Sequence, residues 1–592
     1  MEPFSDPEDD EFVPQPESYS TADTSTRTLR AAHERKPVVR FLEPVSYAAT
    51  TGSLIGPVEP NPPIPPSMKA ALNGPDAVRW QAAVNAEIAN LRDLGVFVEI
   101  ARADKDEIIL NSVWVFKIKP NGVYKARLAA CGYGAGRMPI AEVFAPTVST
   151  KTLLVLLALS TIYRAKLASF DVVSAFMHGK MDGRSNKYVM RLPAGYIKDD
   201  PNARFLRLLG SINGLKEASQ IWSDLLTSHL ISLGFTPTAA DPCLFIRHHP
   251  GSLFIMISTH VDDGLIAYTV PDGEFGEFCD NLSSILEGRI KWGSADEYLA
   301  MDISQSEDRS SVTLSMESYL RSTFATLSCE SSLRAYDTPA AVDILRRLRN
   351  DESEQLSAGD KQEYLKLVGI LNYVRKARPD IEYAVSIVAS RVSAPTSFCM
   401  DCVLRILGYL KCTIKLGRTF TGEASLLCLT EADFGNDTEG FAYSGNLILL
   451  GGSSIISSTK KQSVSTTATA DSELISLGSI VRFLVEVLVL LGNLRVTVEY
   501  PVPILCDNNA AVLTASSLSS RKSRHLANTA AYVRDHTLRQ RTVIVKAVKT
   551  GDNLSDFFTK PLPYSTFARF RKHIMLGEPF HPKLPPPALT RK

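Results

Sequence analysis

Little in these 592 residues points to a membrane, a secretory route or a disulfide scaffold. A membrane-spanning helix needs about 20 mostly apolar residues in a row. The best apolar runs, Leu153 to Leu159 and Phe483 to Leu491, are short, and Glu486 interrupts the second. No spanning helix is expected. The opening MEPFSDPEDDEF has neither the basic start nor the apolar stretch of a signal peptide, so the chain is not expected to be secreted. Cysteine is scarce, with nine in the whole chain, which fits a reducing compartment better than a disulfide framework. The single CxxC, Cys399 to Cys402, has Cys412 nearby but no histidine at ligand spacing. Two helix-borne thiols account for it better than a zinc site does. A charge surplus is missing too, with 64 Lys and Arg against 64 Asp and Glu. Residues 1–66 hold 11 acids and 5 bases, leaving 59 bases against 53 acids in the remainder. A surplus that small neither supports nor excludes a nucleic-acid partner.

What is present suits a large protein of mixed α/β character with several domains. One core rarely serves more than about 250–300 residues. The 45% hydrophobic and 22% charged content is that of an ordinary globular chain. Residues 1–66, rich in Pro, Ser, Thr and acids, bury too little apolar surface to offset their ordering entropy and read as a disordered linker. From Pro75 a helical pattern sets Trp80, Val84, Ile88 and Leu91 on one face. VWVFKIK and VYKARLAA then flank Pro120-Asn121-Gly122, a hairpin signal. Alternation puts Phe116 and Ile118 on one face with Lys117 and Lys119 on the other, and Lys125 and Arg127 share a face. Stacked basic side chains could hold a polyphosphate, although taken alone a solvated charged face is the better account. Helices are expected over 151–163 and 219–233, and strands over 167–173, 254–258 and 265–268. Residues 276–410 look mostly helical. Strands return after about 425 (426–429, 444–450 and 502–505), and a domain boundary is expected there.

Two sets of acids could carry chemistry. Asp171 ends an apolar strand in SFDVVSAF, and Asp262 and Asp263 sit side by side at a turn in STHVDDGLIA. Adjacent turn carboxylates commonly face water. Apolar strands on both sides imply partial burial, where unpaired acids are costly. Carboxylates clustered at a sheet rim suit two magnesium ions about 3.5–4 Å apart that clamp both oxygens of a phosphoryl displacement. The second set is Asp433, Glu473, Asp507 and Asp556. Each has an ordinary explanation alone; Asp507-Asn508 after a strand would make a helix N-cap. Together, four acids spread over strands and helices are what a two-metal nuclease needs.

SFDVVSAFMHGKM, SINGLKEASQIW and HVDDGLIA occur here in the order found in copia-type LTR-retrotransposon reverse transcriptases. WVFKIKPNGVYKARLAACGY and EVFAPTVS upstream resemble the fingers segment of that family. YLKLVGILNYVRKARPDIEYAV and RILGYLKCT downstream resemble its thumb and connection. SSTKKQSVSTTATADSELISL and SSRKSRHLAN resemble its ribonuclease H. The resemblance covers roughly residues 75–565. It implies a right-hand polymerase fold followed by a connection and a ribonuclease H-like α/β domain. Fingers and palm would occupy 67–275, thumb and connection 276–425, the nuclease 426–565 and a tail 566–592.

By the same resemblance, Asp171, Asp262 and Asp263 are the polymerase metal-binding acids. Phe176 matches the aromatic position that acts as a steric gate against a 2′-hydroxyl. Lys125 and Arg127 match fingers residues that touch the incoming triphosphate, with Lys216 a further candidate. Asp433, Glu473, Asp507 and Asp556 match the nuclease quartet, Asp471 being a neighbouring alternative to Glu473. His525 matches a histidine that helps position water or release product. The implied cofactor is Mg2+, two ions per active site with Mn2+ as a substitute. The implied partners are RNA template, DNA primer, RNA–DNA hybrid and dNTPs, with no membrane. The implied location is intracellular, cytoplasmic in particles or nuclear.

The chain departs from the family pattern at His260 (usually Tyr), at Asn213, Glu217, Ser219 and Gln220 in the SINGLKEASQIW segment, and at Ala527, where an acid is usual. GYGAGRMPI is one residue short. Two functions follow from the resemblance: an active reverse transcriptase with ribonuclease H, or a catalytically inactive remnant that at most binds nucleic acid. A host nuclease using only the C-terminal part leaves the polymerase motifs unexplained.

Overall fold

Trp80, Val84, Ile88 and Leu91 form the buried stripe of helix Ala77–Asp93. The computed structural model describes residues 64–118, 122–132, 144–181, 188–327, 329–434, 440–516 and 526–582. Most of the expected linker, the hairpin tip at 119–121, GYGAGRMPI after Gly132, His525 and the last ten residues lie outside these. The helix packs on the hairpin of strands Ser112–Ile118 and Tyr124–Ala130, which pair antiparallel with Lys117 opposite Lys125. Trp114, Phe116 and Ile118 are buried beneath it, and the Trp80 ring meets Phe116 and Tyr124 edge-on at 5.1 and 4.5 Å. The alternation that buries these rings leaves the basic side chains on the opposite face.

A six-stranded sheet follows, in the order Ile290–Gly293, Lys166–Val172, Asp263–Tyr268, Phe254–His260, Leu244–His248, Thr236–Pro237. It is covered on both faces, which is why its strands read as nearly continuous apolar runs. Leu244, Ile246, Phe254, Met256, Leu265 and Ala267 pack on one side with helix Thr150–Ile162. Phe245, Ile255, Ile257, Ile266 and Tyr268 pack on the other, with helices Ala218–Ser232 and Asp272–Ile285. This sheet lies in the part of the chain where the resemblance implies a palm. It runs on to residue 293, because strand Ile290–Gly293 pairs with Lys166–Val172.

The stretch expected to be mostly helical also holds a four-stranded sheet, Glu297–Tyr298, Met301–Gln305, Val312–Ser315 and Arg418–Phe420. These strands are two to five residues long, too short for an alternating pattern to stand out. Helices Ala358–Val374 and Ser397–Cys412 lie where the periodicity places them. Cys399 and Cys402 are buried within the second of these helices as free thiols.

The C-terminal part is a five-stranded sheet, ordered Ser453–Lys461, Tyr443–Leu450, Leu426–Asp433, Val502–Cys506, Val543–Ala547. The first three strands pair antiparallel, and the last two run parallel to Leu426–Asp433. Helix Thr469–Asn493 packs on this sheet with Leu477, Val481 and Leu484 buried. Contrary to expectation, it is long and apolar enough to cross a membrane by length and composition, but 56% of its most apolar stretch is buried inside the protein. It is the core helix of an α/β layer.

No break in packing accompanies the boundary near residue 425. One apolar core runs from helix Thr150–Ile162 through the thumb and connection to Ile574. Buried polar contacts reinforce it. Arg378 donates to both oxygens of Asp380 at 2.9 and 2.7 Å. Tyr409 donates to Asp380 at 2.6 Å, and Arg571 of helix Tyr564–Met575 donates to Tyr409 at 3.0 Å. Such a bidentate pair fixes geometry as well as contributing energy.

Candidate active sites

Two acid groups sit at the ends of two sheets. In the palm, Asp171 lies directly across from Asp263 in the pairing of Lys166–Val172 with Asp263–Tyr268. Residues so placed have β-carbons about 4.5–5.5 Å apart. Asp262 lies in the turn, and its carbonyl accepts from the Val172 N–H at 2.9 Å. The turn is strained: Val261 has φ 57°, a conformation β-branched residues rarely adopt. The buried Trp222 indole donates to the Val261 carbonyl at 2.6 Å and holds the turn in place. Burial, and then Asp171, raise the pKa of Asp262, while Arg127 opposes the shift. Asp263 is pushed up to about 7 by burial, with Asp262, Asp171 and Glu297 adding to it. Two carboxyls held above their ordinary range beside a third acid form a site that favours added positive charge.

Around them, the fingers hairpin brings Arg127 into electrostatic reach of Asp262. Lys125 and Arg127 both act on Glu87, which accepts from the Leu128 N–H at 3.2 Å. Phe176 sits in the short turn Ala175–His178, half-buried between the fingers core and the palm core. Ser174 before it has φ 60°. Asn90 of the fingers helix donates to the Ser174 hydroxyl at 2.9 Å, and Arg289 donates to Asn90 at 2.8 Å. Lys216 is half-buried just ahead of helix Ala218–Ser232. Glu217, the departure beside it, is buried at that helix's start and not presented to solvent. His260 stands opposite Asp263 across the hairpin.

In the C-terminal sheet, Asp433 ends the first strand and Asp507 directly follows strand Val502–Cys506. Glu473 is buried in the first turns of helix Thr469–Asn493, and Asp556 lies in the turn Leu554–Phe558. One member escaped sequence reasoning. Glu431, two residues before Asp433 and so on the same strand face, is buried among them. Carboxylate oxygens of Glu431, Asp507 and Asp556 lie within 4.8 Å of one another, and Glu473, Cys506 and Asp507 form a second such group. Among the described residues no other His, Cys, Asp or Glu groups converge so tightly, the palm acids included. Strand alternation is the signal for Glu431, which shares a strand face with Asp433.

Asn553 donates to Glu431 Oε2 at 3.1 Å, and the Ala432 N–H donates to Glu473. Burial, then the Glu473 charge, then Asp507 and Asp556 hold the Glu431 carboxyl far above its ordinary range. Burial and Asp507 raise Glu473 as well. Asp556 is pushed up to about 6 by burial, against the pull of Lys560. Asp471, two residues before Glu473 on the same helix, is buried and is not part of either group. The donor set is all hard oxygen apart from Cys506, which suits magnesium or manganese.

Residues 97–333 match a protein family described as reverse transcriptase (RNA-dependent DNA polymerase). Over 511 residues the chain is 26% identical to the retrovirus-related Pol polyprotein from transposon RE2 of Arabidopsis thaliana, covering 84% of the chain and 34% of that protein. The chain is similar to copia-type retrotransposon Pol polyproteins. The Pol polyprotein from transposon TNT 1-94 of Nicotiana tabacum is 26% identical over 85% of the chain and 38% of its own length. The truncated Ty1-A Gag-Pol polyprotein of Saccharomyces cerevisiae is 23% identical over 83% of the chain and 42% of its own length. The chain thus spans about a third of the length of the first of these relatives. A foamy viral protease-reverse transcriptase structure in complex with double-stranded DNA aligns at TM-score 0.46 and 12% identity, over 80% of the chain and 70% of that one. The similarity to the copia-type Pol family extends well past residue 333, into the part that carries the second acid group.

Proposed function

We propose that this chain is an RNA-directed DNA polymerase that also cleaves the RNA strand of RNA–DNA hybrids. The observation that carries the reading is the presence of two carboxylate sites, Asp171 with Asp262 and Asp263, and Glu473 with Asp507 and Asp556, on one continuous core. A polymerase copying RNA leaves a hybrid, and a nuclease that shares its core can act on it.

In the palm, Asp171 and Asp262 would hold two magnesium ions, or manganese in their place, with Asp263 assisting. The raised pKa of Asp263 and Asp262 fits that role, since bound cations would offset the burial and mutual repulsion that raise it. When bound, the ions supply the charge that stabilises the attacking and leaving oxygens. Arg127 and Lys125 bind the triphosphate of the dNTP, Lys216 flanks them, and Phe176 excludes a 2′-hydroxyl. The primer 3′-hydroxyl attacks the α-phosphate and pyrophosphate leaves. In the nuclease site Glu473, Asp507, Asp556 and Asp433, with Glu431 added, would hold the equivalent ions, and water would be the nucleophile. His525 would position that water or help product leave. A duplex containing RNA is read by its shape, backbone and 2′-hydroxyls, so template sequence should matter little. We place the protein inside the cell, in cytoplasmic particles or the nucleus.

The experiment is primer extension on an RNA template with magnesium, beside hybrid cleavage, on folded full-length protein. Asp262→Asn with Asp263→Asn should abolish synthesis and leave cleavage, and Asp507→Asn should do the reverse. Absence of both activities in the parent would instead establish a catalytically inactive remnant.

A further inference from the structure

The nuclease acids are accompanied by a cation of the protein's own. Lys560 follows Asp556 by four residues, and its ammonium lies 2.8 Å from Asp556 Oδ1 and 3.6 Å from Glu431 Oε1. It therefore bridges two elements distant in sequence, the strand Leu426–Asp433 and the turn Leu554–Phe558. The oxygens it touches belong to the carboxylates that converge within 4.8 Å with Asp507. A divalent cation bound by Glu431, Asp507 and Asp556 would compete for those oxygens.

The two anchors of Lys560 differ in freedom. Its backbone is fixed, because the Lys560 N–H donates to the Asp556 carbonyl at 3.2 Å. The turn in front of it is pinned by Asn553, which is fully buried and donates to Glu431 and to the Thr430 carbonyl, both at 3.1 Å. The side chain, by contrast, is one-third exposed, with 33% accessible. A lysine is a mobile point charge on a flexible four-carbon stem. Such a stem can leave the carboxylates without disturbing the turn that carries it.

We propose that Lys560 is a built-in place-holder for the nuclease metal. Without metal it neutralises the Glu431–Asp556 end of the site and keeps the two elements together. When a divalent cation takes those oxygens, the ammonium is displaced toward solvent, where it meets a phosphate of the hybrid. Lys560 is thus a positioning residue in the empty site and a substrate-binding residue in the loaded one. This rests on the nuclease reading given above.

The test uses the full chain in the Asp262→Asn, Asp263→Asn background, which removes the polymerase metal site. Magnesium alone is titrated calorimetrically into that protein and into its Lys560→Met, Lys560→Gln and Lys560→Arg derivatives, with Asp507→Asn as control. Taking one unit charge from beside the cation's place should tighten magnesium binding by roughly tenfold in Lys560→Met and Lys560→Gln. The KM for an RNA–DNA hybrid should rise several-fold in both, with kcat changed less, and Lys560→Arg should restore KM. Two substitutions of different polarity guard against one that fails to fold. Unchanged or weaker magnesium binding in a folded Met or Gln variant overturns the proposal. If Asp507→Asn also leaves magnesium binding intact, the nuclease reading itself fails, a result distinct from failure at Lys560 alone.

Discussion

Asp263 stands directly across from Asp171 in the antiparallel pairing at the centre of the palm. The two are 92 positions apart in the chain, and only the register of two strands brings them together. A one-residue slip would turn every side chain on that strand to the opposite face, so the apolar pattern of Leu265 to Tyr268 also fixes the position of the acids. Replacing Gly264 shows how tight that arrangement is: a β-carbon there would lie 2.2 Å from the Phe170 ring. Gly264→Val is expected to abolish synthesis and lower stability, and thermal unfolding beside primer extension would check it. A variant as stable and active as the parent would mean the strand pair can shift without cost.

The raised carboxyls predict how stability depends on pH. Asp263 near 7 and Asp556 near 6 bind protons in the folded protein that their unfolded counterparts release near 4. Between those limits the native state holds more protons, so stability falls as pH rises. For metal-free protein the melting temperature should drop from pH 5 to pH 8. Asp263→Asn should flatten the drop, and millimolar magnesium should reverse much of it. A melting temperature that rises over this range in chelator would contradict the burial of these acids.

Phe176 is held from both sides, by the fingers core and by the palm core, and the preceding Ser174 is tied to Asn90. Phe176→Ala should lower discrimination against ribonucleotides by roughly 10- to 200-fold, the range that a change in pocket volume commands. Asn90→Ala should produce a weaker loss with the ring intact. Competition between dNTP and rNTP in single-nucleotide extension measures both, and unchanged sugar selectivity in Phe176→Ala would remove it from the site.

Because one apolar core runs beneath both acid sites, damage at their junction should not stay local. Arg378 and Asp380 are fully buried partners. Removing one member leaves an uncompensated charge, at a cost of about 3–5 kcal/mol. Asp380→Ala should therefore reduce urea stability by that amount and impair both activities together. Loss of hybrid cleavage alone, with synthesis intact at the same temperature, would show that the halves unfold separately.

The unequal legibility of these features has physical causes. Periodicity placed the fingers helix, the hairpin and the palm strands, because each has a one-sided or two-sided apolar pattern long enough to count. The same local logic puts Asp171, Asp262 and Asp263 at strand ends, whereas the preference for Glu473 over Asp471 comes from the family resemblance. The sheet of strands Glu297–Tyr298 to Arg418–Phe420 was hidden by strand brevity. The continuous core across residue 425 was hidden because composition changes there while packing does not. Lys560 and Glu431 were missed since their significance depends on neighbours more than 30 residues away.

Glu431 gives the sharpest test of what the structure adds. The sequence assigns the first strand's acid to Asp433, yet it is Glu431 whose oxygens converge with Asp507 and Asp556. Asn553 and Lys560 both reach Glu431. Two partners aimed at one carboxylate orient it as outer partners orient a metal ligand, and such partners alone are worth about 10–100-fold in affinity or activity. Glu431→Gln keeps the shape and the Asn553 neighbourhood but removes the charge. It should reduce hybrid cleavage by about 100-fold or more, as a lost ligand exceeds a lost outer partner, and should weaken magnesium binding in parallel. Asp433→Asn should cost less on both measures. Cleavage rates and magnesium titrations on the two variants decide the matter: if Asp433→Asn is the more damaging, the ligand is Asp433 and Glu431 serves only to hold Lys560.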